Sequence, residues 1–186
     1  AVLDQHAVAG WEHLPADLAA RLRLVVTVEG DGPGVPLAEL LIAEPVPIAD
    51  VAPDAPAVMM FTSGTAGPPR AAVLSHANLL ANLEQSGATR DRIVASDVVY
   101  GVLPLFHIYG LNVVLGSALR AGATVLLVQR FDPATAIQSI AQRGVTVVPG
   151  APPLWVALAS FDDLPPDTFA SVRLALSGAA RLSPRV

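Results

Sequence analysis

The stretch that most constrains this chain is residues 59–80, MMFTSGTAGPPRAAVLSHANLL. Val58, Met59, Met60 and Phe61 form an unbroken apolar run of the kind a buried strand shows. The run breaks into small, hydroxylated and glycine residues, Thr62, Ser63, Gly64, Thr65, Ala66 and Gly67, and then into Pro68, Pro69 and Arg70. A second apolar run covers residues 71–74, and Ser75 sits where a helix N-cap belongs. The order is therefore strand, loop, strand, helix. Glycine and alanine leave backbone N–H groups uncovered, and the hydroxyls and the Arg70 guanidinium add further donors. Such an array suits an anion, and phosphate is the usual one.

Two common phosphate loops are excluded. A Walker loop needs Gly-x-x-x-x-Gly-Lys-Ser/Thr, but Pro69 and Arg70 stand where its second Gly and its Lys belong. A dinucleotide fingerprint needs three glycines directly ahead of a helix; Gly64 and Gly67 are too few, and a strand follows them. By composition alone the loop also reads as a hairpin turn.

The full run resembles the phosphate-loop signature of the adenylate-forming superfamily, which includes acyl-CoA synthetases, luciferases and peptide-synthetase adenylation domains. Phe61, Thr62, Ser63, Gly64, Thr65, Gly67, Pro69, Leu74, Ser75, His76, Asn78 and Leu79 match the pattern. Three positions depart from it. Ala66 replaces a Thr and loses a hydroxyl. Arg70 replaces Lys, exchanging a point charge for a planar fork. Ala71 replaces Gly and adds a Cβ.

The resemblance continues downstream in the same order. PLFHIYGL (104–111) is similar to the family's Pro-Leu-Phe-His-x-x-Gly segment. The resemblance implies that His107 lies at the mouth of an acyl pocket and serves the carboxylate and the change to thioester formation. A lone His ahead of a helix would otherwise read as a capping or core residue. Residues 122–140 and 145–158 resemble the family's next strand and helix pairs. Gly178, Ala179 and Ala180 in LALSGAARLSP match the strand end that lies against adenine in relatives, with Arg181 where Pro is usual. Gly and Ala suit a place where a flat base meets the main chain; a tight turn would use them equally.

The chain alternates strand and helix. Strands are expected at 24–28, 58–62, 98–103, 124–128, 146–148 and 172–177. Helices are expected at 75–90, 111–120, 133–143 and 154–159. This rhythm predicts an α/β fold with a parallel-rich sheet and flanking helices. The resemblance makes it part of the large N-terminal domain of an acyl-CoA synthetase-like fold. Residues 1–55, with a proline-rich connector at 43–56, read as a connecting portion, and 56–186 as the signature-bearing portion of a single AMP-binding domain.

With 53% hydrophobic residues, the chain is unusually apolar for its 186 residues, yet Pro, Gly or Arg interrupts every long apolar run. That pattern signals strands covered on both faces rather than a membrane span. There is no cysteine, which fits a reducing cytoplasm, and the net charge of −5 argues against a nucleic-acid partner. An exposed apolar patch leaves room for peripheral membrane contact and for self-association. His6 and His13 have no carboxylate or Cys at metal spacing, Ala175 breaks a Gly-x-Ser-x-Gly elbow, and Asp162 and Asp163 are adjacent and point apart.

The resemblance implies ATP-dependent activation of a carboxylic acid to an acyl-adenylate, then transfer to coenzyme A. Thr62, Ser63, Gly64, Thr65, Ala66, Gly67 and Arg70 would line the phosphates. The Mg2+ carboxylate, the ribose Asp and the mobile lysine are expected beyond Val186, so this chain alone is expected to be an inactive portion of its parent. Ile108, Leu111, Val113 and Val114, with no basic residue near them in sequence, suggest a fatty or other apolar acid; ordinary helix packing explains them equally. Two alternatives stay open: an adenylating enzyme that passes the acyl group to a carrier protein, and a non-catalytic truncated paralogue acting as a binding module.

Overall fold

A computed structural model describes residues 1–62 and 70–186 of the chain. They divide into two compact units, Ala1–Asp50 and Val51–Val186. Ser63, Gly64, Thr65, Ala66 and Gly67 lie outside the described residues.

The first unit holds β1 (Val2–Leu3), α1 (Gln5–Trp11), α2 (Ala16–Ala19), β2 (Val26–Thr27), β3 (Val35–Pro36) and α3 (Leu37–Leu41). Its strands pair in parallel in the order β1-β2-β3. The Asp4 side chain caps α1 by accepting from the His6 and Ala7 amides at 3.0 and 2.8 Å. The strand expected at 24–28 is shorter, although the Val28 amide still reaches the Leu3 carbonyl at 2.9 Å.

The second unit begins with an antiparallel hairpin, β4 (Pro56–Thr62) and β5 (Arg70–Ser75), in which Thr62 pairs with Arg70 and Met59 with Val73. Its exposed face carries Met59, Phe61 and Val73, which are 65%, 77% and 55% exposed. Helix α4 (His76–Gly87) follows directly. Ser75 caps it as the sequence predicts: the Ser75 hydroxyl accepts from the Asn78 amide at 3.2 Å and the Asn78 side chain accepts from the Ser75 amide at 3.0 Å.

Next come β6 (Val98–Gly101), a π-helix (Tyr109–Gly116), α5 (Ser117–Ala121), β7 (Thr124–Leu127), α6 (Pro133–Arg143), β8 (Val147–Gly150), α7 (Pro152–Ala159) and β9 (Leu174–Ser177). The four strands form an all-parallel sheet in the order β7-β6-β8-β9. Alternation along each strand sorts the core into two layers. Tyr100 and Val148 face α6 and α7, with Ile137, Ile140, Leu154 and Leu158. Val99 and Val147 face the other way, against Val114 and Ala118 of the π-helix and α5. Both faces are thus covered, which accounts for the apolar composition. The helix expected at 111–120 divides into a π-helix and a short α-helix. Gly110 and Gly116, both poor α-formers, bracket the wide turns.

The amino ends of the strands meet at Asp97, which is 2% exposed. Its carboxylate accepts from the Val94 amide, the Thr146 hydroxyl and the Arg173 Nε, each at 2.7 Å, and from the Arg173 Nη2. The Thr124 amide donates to the Asp97 carbonyl at 2.9 Å. The Arg173 guanidinium is the largest of the causes that hold the Asp97 carboxyl down to about 2, against an ordinary 3.8, while burial opposes it.

A carboxylate with a depressed value adds stability above its unfolded value and loses it as pH falls toward the folded one. The urea midpoint of the intact protein should therefore stay level above roughly pH 5 and drop between about pH 4 and 2. Asp97→Asn should cost about 1–3 kcal/mol at neutral pH, because the Arg173 guanidinium left behind is partly exposed to water, and should shrink that acid-side drop. Equal acid sensitivity in the variant and the wild type would show that the network does not carry it.

Candidate functional site

The chain leaves β6 toward the face bearing the π-helix and leaves β8 toward the face bearing α7. In open α/β sheets, ligands usually bind at the carboxyl ends of the strands where neighbouring connections part in this way. Two of the segments predicted to matter end there. Residues 102–108 follow β6, and residues 178–180 follow β9.

His107 is exposed, in a tight turn whose amide donates to the Pro104 carbonyl at 3.1 Å. Its Nδ1 accepts from the Tyr109 amide at 3.2 Å. In the neutral ring the proton therefore sits on Nε2, which is left as a donor. Gly110 must be glycine: a Cβ there would lie 2.3 Å from the Pro104 carbonyl oxygen.

Tyr109 joins the two segments. Its hydroxyl donates to the Leu176 carbonyl at 3.2 Å, and burial raises the pKa of the phenol. Its ring lies against Gly178, where an added Cβ would stand 2.6 Å from Cε1. The Gly178 amide in turn donates to the Gly150 carbonyl at 3.1 Å. Ala179 takes a left-handed φ of +68°, so the chain swings out of the sheet immediately after Gly178. Ala179 and Ala180 are exposed. Thus the structure brings His107 and Gly178 into one assembly through Tyr109, which the sequence reading passed over. The aromatic two residues after His107 was the available signal.

Thr62 and Arg70 face each other across the hairpin. The same hairpin leads into α4, and α4 is tied to the π-helix by Asn112. The buried Asn112 amide donates to the Leu79 carbonyl at 3.3 Å and to the Asn82 side-chain oxygen at 2.8 Å. An asparagine inside the apolar run Leu111–Leu115 was legible as an anomaly, but its partners were not.

A cavity of about 570 Å³ lies between the end of α4, α5 and the sheet. Leu83, Ile93, Val113 and Leu176 give it an apolar wall, and Glu84, Asp91, Arg92 and Arg120 also line it. Of the four residues expected around an acyl pocket, Val113 lines this space, Val114 is buried in the core, and Ile108 and Leu111 are half-buried. The two arginines were not expected beside it. Arg120 reaches the cavity because the helix carries on past Val113, and it pairs with Glu84 at 4.0 Å. Among the described residues, no group of three or more His, Asp or Glu is placed to hold a metal ion, and no helix is long and apolar enough to cross a membrane.

A sequence profile described as AMP-binding enzyme matches residues 2–186. A 4-coumarate–CoA ligase 3 of Oryza sativa subsp. japonica is 37% identical over 161 residues, covering 84% of this chain and 29% of the ligase. A long-chain-fatty-acid–CoA ligase of Bacillus subtilis (strain 168) is 35% identical over 127 residues, covering 68% of this chain and 23% of that one. The crystal structure of ATP-bound MatB from Rhodopseudomonas palustris superposes with a TM-score of 0.81 at 29% identity, over 96% of this chain and 35% of MatB. The chain thus spans about a quarter to a third of these relatives.

Removing the Asn112 amide leaves the Leu79 carbonyl and the Asn82 side chain without their partner. Asn112→Ala should therefore cost about 2 kcal/mol, read as a lowered urea midpoint of the intact protein. A midpoint equal to wild type would show that the α4 contact does not hold the π-helix.

Proposed function

Because this chain belongs to the AMP-binding enzyme family, we propose that it carries the nucleotide- and acid-facing part of an acid–CoA ligase that works through an acyl-adenylate. The observation that carries this reading is the meeting of the His107 turn and the Gly178 strand end at the carboxyl edge of the parallel sheet. In the proposed reaction, a carboxylate oxygen of the acid attacks the α-phosphorus of ATP. The bond from that phosphorus to the bridging oxygen breaks, and pyrophosphate leaves. The sulfur of coenzyme A then attacks the acyl carbon, and AMP departs.

The chain's own residues contribute position and charge rather than covalent chemistry. Thr62 and Arg70 stand at the two ends of the loop that would take the β- and γ-phosphates, with Ser63, Gly64, Thr65, Ala66 and Gly67 between them. Ala179 and Ala180 offer exposed backbone for the adenine. The Nε2–H of His107 would donate to the acid's carboxylate. Mg2+ would share the triphosphate charge, although among the described residues no group of three or more His, Asp or Glu is placed to hold it. An acid with an apolar body, a fatty acid first, is proposed on Ile108, Leu111, Val113 and Val114 in the segment after His107, of which Val113 lines a cavity that Arg92 and Arg120 also line. Both an aromatic acid and a long-chain acid appear in the names of its relatives.

ATP–pyrophosphate exchange by the intact protein tests the reading. Octanoate, palmitate and 4-coumarate should drive exchange better than acetate or a polar amino acid. Preference for the amino acid would overturn the substrate assignment. Arg70→Ala should slow exchange by about 1.5–3 kcal/mol of lost charged contact. Unchanged exchange in that variant would remove Arg70 from the phosphate site.

A further inference from the structure

The cavity of about 570 Å³ is unevenly lined: Val113 and Leu176 are apolar, while Glu84, Asp91, Arg92 and Arg120 bring two charges of each sign. The His107 turn runs directly into the π-helix, and the helical path continues through α5 to Ala121. Val113, Ser117 and Arg120 all line the cavity, and their spacing of four and three residues puts them on one face of that path. At about 1.5 Å per residue, Arg120 stands about 15 Å further along than the start of the π-helix. An acid whose carboxylate sits at the His107 turn would reach the charged part only with its far end.

The charged part is not self-contained. Arg120 pairs with Glu84 at 4.0 Å. Arg92 is held through its backbone, where its carbonyl accepts from the Arg173 Nη2 at 2.9 Å. Among the described residues its guanidinium makes no ion pair. The Ser117 hydroxyl is buried and, among the described residues, has no hydrogen-bond partner. A buried polar group in that condition calls for one.

We infer that this cavity takes the far end of the acid, and that the acid it suits is an apolar chain ending in a neutral hydroxyl. The near end is placed by the proposed function, on which the far end depends. A terminal methyl group would leave the Arg92 guanidinium and the Ser117 hydroxyl facing hydrocarbon. A second carboxylate would meet Arg92 and Arg120 but also Glu84 and Asp91, so attraction and repulsion offset each other. A hydroxyl both donates and accepts, so it can serve a carboxylate and a guanidinium, or the Ser117 oxygen, at once.

The test compares dodecanoate, ω-hydroxydodecanoate and dodecanedioate, three acids of one length, in ATP–pyrophosphate exchange by the intact protein. The hydroxy acid should show a kcat/KM about tenfold above each of the others. Arg92→Leu should bring the ratio of hydroxy acid to dodecanoate within about twofold of one, and Ser117→Ala should lower it about threefold. Reading the ratio keeps any general loss of folded protein out of the comparison. Dodecanoate or dodecanedioate matching the hydroxy acid in the wild type would overturn the assignment. So would a preference that neither variant lowers, since the hydroxyl would then lie elsewhere. If none of the three acids drives exchange, the proposed function falls instead. Calorimetric titration of the intact protein with the same acids then decides the cavity. Tighter binding of the hydroxy acid than of dodecanoate, lost in Arg92→Leu, upholds it, and any other pattern overturns it.

Discussion

Asp97 is the group on which the parallel sheet depends. A buried carboxylate is costly unless every lone pair is engaged, and several kcal/mol are at stake if one partner is lost. Here the donors come from the loop before β6, from Thr146 just ahead of β8 and from Arg173 just ahead of β9, while the Asp97 carbonyl takes the first amide of β7. One residue thus sets the relative heights of four strands that are far apart in sequence. Parallel strands have no tight turns to fix their register, so a shared anchor at one end does that work.

The division of labour between the two ends of the sheet follows from this. The amino ends are closed by charge and hydrogen bonds. The carboxyl ends are left to diverge, with the connection after β6 going to one face and that after β8 to the other. Tyr109 spans that open end much as Arg173 spans the closed one. Each reaches across from one strand's connection to another strand, and each satisfies a group that would otherwise be stranded.

Much of this was legible in the sequence, for identifiable reasons. The strands of the second unit were readable because parallel strands buried on both faces appear as continuous apolar runs, such as Val98–Tyr100 and Thr124–Leu127. The α4 cap was readable because Ser75 and Asn78 stand at capping spacing directly after a strand. The family was readable because its motifs occur in order from Phe61 to Ala180. Contacts between elements were not. Nothing local marks Asp97 and Arg173, 76 residues apart, as partners. Nothing local says that the ring of Tyr109 lands on Gly178. In Ala1–Asp50 the strand expected at 24–28 is present as Val26–Thr27, and the other short strands and helices escaped because each is too brief to show a period. The π-helix escaped because periodicity at 3.6 residues has no way to register a wider turn.

The β4–β5 hairpin stands apart from the anchored sheet, with Met59, Phe61 and Val73 turned outward. Two strands joined only to each other are marginal by themselves, and their amides can open without the rest of the molecule unfolding. Amides of β6 and β8 exchange with solvent only when the core opens. Those of the hairpin open at lower cost, held mainly by the capped start of α4. Among the strands of this unit, hydrogen exchange is therefore expected to be slow around Val99 and Val147 and faster in the two strands that frame the phosphate-loop signature. Anything that binds between Thr62 and Arg70 would slow the fast end of that gradient first.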